Sequence, residues 1–273
     1  MKYLILGSSG QIGSALLSYL QEQGNTVSSF DIVASPQQDL RIPNNPFLKE
    51  ALLATDFVFF LAFDVGGSRY LAQYQQTPDF IDNNMALMLH TFRALKQYAK
   101  PFIFASSQMA TMDHSSYGRA KALGESYAST LNGIIVKFWN VYGVEHDERK
   151  AHVITDFIRK ARDTQRIDML TDGTEERQFL HALDCSRALE ALARVHADIP
   201  RTKELHITSF EWTRIIDIAN LVAEHFPGTI VAPANNTDGV QKGIRNEPDH
   251  FILNYWKPEI GIRDGVAKIV SAL

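Results

Sequence analysis

With 273 residues, 45% of them hydrophobic and 21% charged, the chain is long enough to bury a full core, in one large domain or in a large and a small one. A net charge of −4 gives no basic surface for nucleic acid, and the single cysteine, Cys185, excludes a disulfide framework or a cysteine zinc site and fits a reducing cytoplasm. No targeting segment is visible: residues 1–6 are too short and too weakly basic, and the longest apolar run, 57–63, is far below the ~20 residues of a membrane span.

The first stretch to carry chemistry is the N-terminal one. The apolar residues 3–6 read as a strand, and residues 14–23 repeat apolar side chains at helical spacing. Between them lies Gly7-Ser8-Ser9-Gly10-Gln11-Ile12-Gly13. Strand, glycine-rich turn and helix in that order form a phosphate cradle, because glycine lets the backbone approach a pyrophosphate and the helix N-terminus offers free N–H groups. Residues 26–33 read as a buried strand with Asp31 near its end, about 20 residues on, where a carboxylate accepts from ribose hydroxyls and repels a 2′-phosphate. No basic residue follows before Arg41, which favours NAD over NADP. Asp39-Leu40 reads either as an adenine contact or, for Asp39, as a turn cap.

Further strands are expected at 57–62, 102–105 and 134–138, with helices at 82–98 and 117–131. Alternating strands and helices predict a Rossmann-type doubly wound parallel sheet, whose ligands gather at the carboxyl edge. Past Gly143 the texture changes. Residues 145–150 form a charged patch, 153–162 and 212–225 amphipathic helices, 173–177 a polar turn, 205–208 another strand and 232–243 a loop. The expected division is a cofactor domain, 1–143 and 178–210, and a smaller, discontinuous substrate lobe, 144–177 and 211–273.

Ser106-Ser107 closes the strand at 102–105, and Tyr117 and Lys121 lie four apart on one face of the next helix. Oxidising a secondary alcohol requires a base for the hydroxyl proton. A free tyrosine, with a pKa near ~10, is a poor one. Lowering it by ~3 units takes roughly 4 kcal/mol, about what one cation at ~4 Å supplies at an effective dielectric of ~20. Tyr117 is therefore the candidate acid and base, Lys121 its electrostatic tuner and Ser107 the donor to the substrate oxygen.

These residues resemble the extended short-chain dehydrogenase/reductases, specifically the NAD-dependent nucleotide-sugar epimerase/dehydratase family, over nearly the whole chain. Gly7, Ser9, Gly10, Gln11, Ile12 and Gly13 lie in or line the cofactor motif that the resemblance implies, and Leu61, Ala62 and Phe63 end the next cofactor strand. Asp82-Asn83-Asn84 is similar to the start of the family's dimer helix, with Asn84 near the cofactor, and Phe138, Asn140 and Val141 lie in the segment that reaches nicotinamide and substrate. The resemblance also implies a nucleotide-diphosphate sugar as substrate, with Arg177 and Arg245 on the diphosphate, Asn140 on the sugar, and a homodimer; no metal is expected. Two planar guanidiniums suit a diphosphate, while either alone reads equally as a surface ion pair.

The departures narrow the chemistry. Only residues 108–116 separate Ser107 from Tyr117, shorter than in the family, which reshapes the sugar pocket. Gln108-Met109 stands where 4,6-dehydratases carry Asp-Glu and 3,5-epimerases a cysteine, and His146 lies near the latter's second acid/base position, where a surface histidine is the plainer reading. The expectation is an NAD-dependent 4-epimerase acting through a transient 4-keto sugar. The alternatives are an NAD(H)-dependent 4-ketoreductase or dehydrogenase, and a non-catalytic NAD-binding regulatory protein.

Overall fold

The computed structural model describes residues 1–145 and 147–273. The first half comprises β1 (Lys2–Leu6), α1 (Gln11–Glu22), β2 (Thr26–Phe30), α2 (Pro46–Leu53), β3 (Phe57–Phe60), α3 (Ser68–Tyr74), α4 (Pro78–Gln97), β4 (Phe102–Ser107), α5 (Ser116–Thr130) and β5 (Ile134–Phe138). The second half follows with β6 (Asn140–Tyr142), α6 (Val153–Thr164), β7 (Arg166–Asp168), β8 (Glu176–His181), α7 (Ala182–Arg194), β9 (Leu205–Ile207), β10 (Trp212–Arg214), α8 (Ile215–Ala223), β11 (Ile230–Ala232) and α9 (Ile262–Ala272).

Six strands form one sheet in the order β2-β1-β3-β4-β5-β9, and every neighbouring pair is parallel. This is the doubly wound architecture that the strand–helix alternation predicts. The alternation of side chains divides the core in two. Tyr3, Ile5, Phe57 and Phe59 face α1 and α7, while Leu4, Leu6, Val58 and Phe60 face α2, α4 and α5. All four residues of β3 are fully buried, which at about 2 kcal/mol per large apolar side chain makes this strand the densest source of hydrophobic stabilisation in the sheet. Cys185 on α7 is fully buried, and burial pushes its thiol up.

A second core joins α6, α8 and α9 to Ile167, Tyr142 and Phe179. The small sheet β10-β8-β6 lies between the two, with β8 pairing antiparallel to β10 and parallel to β6. The chain then returns: Ile252 and Trp256 pack in the first core with Leu205 and Ile207, so the segment 251–256 belongs with the large sheet rather than with the small lobe. Among the described residues no helix is long and apolar enough to cross a membrane.

Several expected boundaries move. β2 stops at Phe30, and Ile32 and Val33 are exposed, because the chain turns at Asp31, whose carbonyl accepts from Ala34 N–H at 3.1 Å and whose carboxylate accepts from Val33 N–H. α4 begins at Pro78, four residues before 82, where the Thr77 hydroxyl accepts from Phe80 N–H and proline occupies the first helical turn. The expected helix at 212 is a strand until Arg214, since Trp212–Arg214 pairs with β8, and the turn expected through 177 ends where β8 begins at Glu176.

The glycine loop is held by contact between backbones. A Cβ on Gly13 would lie 2.0 Å from Gly7 O and 2.9 Å from Ser8 Cα, whereas one on Gly10 would find nothing closer than 3.5 Å. Gly13→Ala is therefore expected to lower the melting temperature by several degrees, and Gly10→Ala to cost no more than about 1 kcal/mol, as read in parallel thermal melts.

Candidate functional site

The direction of strand succession reverses between β1 and β3, and the crevice at their carboxyl ends is where open α/β sheets take ligands. Gly7 sits there at φ 90°, and its missing Cβ would stand 2.7 Å from Ala62 N and Cα. Gly10 precedes α1 in extended conformation with no side-chain cap, and Ser14 N–H is the first to bond back, to Gly10 O at 2.8 Å. The amides of Gln11, Ile12 and Gly13 thus have no intrahelical acceptor and form an anion cradle. Ser9 N–H donates to Asp31 Oδ2 and Val33 N–H to Asp31 Oδ1, both at 2.9 Å, which fixes the carboxylate beside the loop with a lone pair on each oxygen still open to a ribose hydroxyl. These residues fit the adenosine and pyrophosphate half of a dinucleotide.

Other expected cofactor contacts have structural work. Asp39 caps its turn by accepting from Arg41 N–H at 2.8 Å and grips the guanidinium of the same residue, which holds its carboxyl below the usual range. Leu40 is buried in the core beside Phe30 and Leu48. Asn84 is fully buried: its oxygen accepts from Asp64 N–H, and its amide hydrogens go to Asp64 O and Phe80 O, so it clamps the loop after β3. The Gln11 side chain, oriented to satisfy both partners, ties α1 to Val141 O at 3.1 Å and Gly143 N at 2.9 Å. Leu61 and Ala62 continue from β3 beside Gly7, and Val141 is in the core.

Ser107 ends β4, in register with Phe138 at the end of β5, and its Oγ accepts from Met109 N–H at 3.1 Å. α5 starts close by because Gly118 has no side chain; a Cβ there would lie 2.2 Å from Met109 O. Ser115 caps α5 by accepting from Gly118 N–H at 3.0 Å and donates to Gln75 Oε1 at 2.8 Å. The short 108–116 segment is thereby folded tightly over Tyr117, which packs with Met109, Met112, Phe80 and Leu71.

Burial dominates the electrostatics. Tyr117 is pushed up to about 12 by desolvation, with the Ser107 hydroxyl pulling weakly the other way. Lys121 is pulled down to about 7 by desolvation, opposed by the Glu125 carboxylate one turn along. Its Nζ donates to Ala105 O at 2.6 Å and lies 3.7 Å from the centre of the Phe63 ring, which meets Tyr117 edge-on. Lys121 Nζ is turned to Ala105 O and stands 5.8 Å from the centre of the Tyr117 ring, so burial dominates Tyr117 in the protein alone; the lowering expected from the sequence is the joint work of Lys121 and a nicotinamide cation. Behind Lys121, Glu125 accepts from Ser106 and lies 3.8 Å from Lys137, which pairs with Glu204 at 2.6 Å. A cavity of about 130 Å³ opens there, away from Ser107 and Tyr117.

Asn140 lines a small cavity of about 40 Å³ with Gly67, Ser68, His152 and Phe179. His152 faces Glu145, with Nδ1 2.6 Å from Oε1 and the His152 backbone N–H donating to Oε2 at 2.9 Å. Glu145, the first residue of the charged patch, is buried, and His152 holds its carboxyl below the usual range despite burial. Lys150 is likewise engaged, with Asp64 at 2.8 Å. No periodicity marks this pair in the sequence, since it closes within a loop. His146 lies outside the described residues.

The two arginines do not meet on one point. Arg177 on β8 pairs with Asp238. Arg245 pairs with Glu176 at 2.5 Å and stacks 3.9 Å over Trp212. Successive residues of β8 point to opposite faces, so Glu176 draws Arg245 away from Arg177.

A dinucleotide cradle facing a serine, a tyrosine and a lysine at the edge of a doubly wound sheet defines a Rossmann-type, nucleotide-dependent enzyme class. The chain belongs to the NAD dependent epimerase/dehydratase family, which matches residues 3–208. It is 23% identical to a GDP-L-fucose synthase of Sinorhizobium fredii over 97% of this chain and 92% of that protein. It is 22% identical to a putative UDP-glucose 4-epimerase of Methanocaldococcus jannaschii over 98% and 97%. Its fold is similar to that of a UDP-glucose 4-epimerase of Thermotoga maritima solved with UDP-glucose, with a TM-score of 0.83 at 18% identity, covering 99% and 98%.

Because Lys121 titrates near 7 when folded and at 10.5 when unfolded, the unfolded chain binds the extra proton between those values, and stability rises with pH through that window. The rise is up to ~1.4 kcal/mol per pH unit. Denaturant midpoints at two pH values within the window should show this slope in the wild type and lose it in Lys121→Met.

Proposed function

We propose that the protein is an NAD-dependent nucleotide-sugar 4-epimerase. The observation that carries this reading is Ser107 beside a buried Tyr117, with Lys121 one turn on, at the same sheet edge as the glycine cradle. Gln108 and Met109 add no acid or base there: the Gln108 side chain and carbonyl both accept from Asn246, and Met109 is buried.

Gly7 to Gly13 and Asp31 would hold NAD, with Phe63, Tyr117, Lys121, Phe138 and Asn140 toward its reactive end. Bound there, NAD supplies a hydride acceptor that returns the hydride and a positive charge that favours phenolate. Ser107 donates to the C4 oxygen of the sugar and keeps it within reach of Tyr117. Tyr117 takes the hydroxyl proton and gives it back, so one group acts as both base and acid. Lys121 stabilises the phenolate when protonated, and the packing of Met109, Met112 and Phe80 keeps water from the hydroxyl. Asn140 holds the sugar, and Arg177 and Arg245 hold the diphosphate from separate sides. A second copy packs on α4 and α5, where Ile81, Leu89 and Leu123 are exposed, and the setting is the cytoplasm.

One observation favours a second reading, an NAD(H)-dependent 4-ketoreductase. Epimerisation at C4 returns the proton that it takes, whereas reduction takes up a proton, and His152 on Glu145 is a protonatable group in the Asn140 cavity. Net consumption of NADH at 340 nm with a keto sugar distinguishes the two.

The test is incubation with UDP-, GDP-, dTDP- and CDP-hexoses followed by NMR. Tyr117→Phe is expected to reduce turnover by at least ~10²-fold. Unchanged turnover in that variant refutes the mechanism.

A further inference from the structure

The segment 233–250 runs from the small lobe onto the 108–116 loop and closes over Tyr117. Its start is tied to the lobe by Ala234 N–H on Thr171 O at 3.0 Å and by Asp172 N–H on Asn236 O at 2.8 Å. Its middle crosses to the catalytic side: Val240 O meets His114 Nε2 at 2.8 Å, and Val240 packs on the cluster of Met109, Met112 and Tyr117. Farther on, the Asn246 side chain donates to Gln108 O at 2.8 Å and Gln108 Oε1 at 2.7 Å. Between the two anchors stands Asp238, whose carboxylate accepts from Val240 N–H at 2.9 Å and Gln241 N–H at 3.2 Å and pairs with Arg177. Both side chains of that pair are nearly dry, 11% exposed for Asp238 and 15% for Arg177.

Asp238 takes Nη2 of Arg177 and the Glu176 carbonyl takes Nη1 at 2.7 Å, so the Nη1–Nη2 edge that bidentate phosphate recognition uses is filled. Arg177 cannot present that edge to a diphosphate while Asp238 holds it. The rest of the strap is held by the His114 and Asn246 hydrogen bonds, by Val240, by Arg245 on Glu176 and Trp212, and by His250 stacked on Phe210 at 4.9 Å, ties that lie along the surface rather than in the packed core.

We propose that Asp238 is a built-in stand-in for the substrate's phosphate, which holds the 233–250 strap shut over Tyr117 and is displaced from Arg177 when a nucleoside diphosphate binds. This rests on the reading of Arg177 as a diphosphate ligand. The empty protein thereby keeps its catalytic hydroxyl covered, and only an anion strong enough to replace Asp238 releases the strap. Affinity for the nucleotide is reduced by the fraction of molecules in the closed state.

Calorimetric titration of the full-length protein with UDP and with GDP tests this, alongside tryptic cleavage at Lys242, which lies exposed in the strap. Asp238→Asn keeps an acceptor for the Val240 and Gln241 amides and removes the charge. It should bind one of the two nucleotides about tenfold more tightly and be cut at Lys242 several-fold faster without ligand, and the bound nucleotide should produce the same acceleration in the wild type. Arg177→Gln should weaken binding in both backgrounds. If Arg177→Gln weakens binding but Asp238→Asn neither tightens it nor speeds cleavage, the stand-in is refuted and the diphosphate reading survives. If Arg177→Gln changes nothing, both fall.

Discussion

Gly7 and Ala62 touch through their backbones, and Gly13 lies against Gly7 in the same way. Everything at the carboxyl edge of the sheet is placed by that double contact. It closes the turn after β1 onto the end of β3, aims the first amides of α1 into the crevice and brings Ser9 within hydrogen-bonding distance of Asp31. No side chain takes part, so the constraint falls on which residues can have none. The same device recurs at Gly118, where the missing Cβ lets α5 approach Met109 O and so delivers Tyr117 and Lys121 to the edge that the first pair of glycines has defined.

What these contacts assemble is electrostatically uncomfortable. Tyr117 and Lys121 are buried in a pocket lined by phenylalanine and methionine, and each is driven toward its neutral form. A stable fold gains nothing from a dry lysine whose ammonium is held by one carbonyl and one aromatic face. Burial of this kind is concentrated where chemistry needs a charge that responds strongly to whatever enters. On the far side of the crevice the pattern is reversed: Arg177, Arg245, Lys150 and Glu145 all have partners, three of them within the small lobe, and Lys150 with Asp64 and Asp156 with Arg69 tie that lobe to the large one.

Most of the large sheet is legible in the sequence because β1 and β3 are continuous apolar runs and β4 and β5 nearly so, with the glycine loop and Ser107 at strand ends and Tyr117 and Lys121 on the helix after β4. Legibility fails where structure depends on distant pairing. β6, β7, β10 and β11 are three residues each, too short for alternation to register, and Trp212–Arg214 is extended only because β8 lies beside it. Thr77 and Pro78 carried a start signal for α4 that the apolar spacing from residue 82 obscured. Asp238 and Arg177 lie 61 positions apart, and Asp238 sits in a loop with no period, so nothing local announces their meeting. Arg177 lies in a stretch that resembles the family's, whereas its partner Asp238 is brought to it only by the fold.

Cys185 gives this architecture a built-in clock. It is the single cysteine, fully buried on α7 against α1, in surroundings that push its thiol up and leave it inert while the helix pair stays closed. An alkylating reagent can reach the sulfur only in molecules whose α7 has come away from the sheet. The rate of its modification therefore counts openings of the large core one at a time, without any label added to the chain.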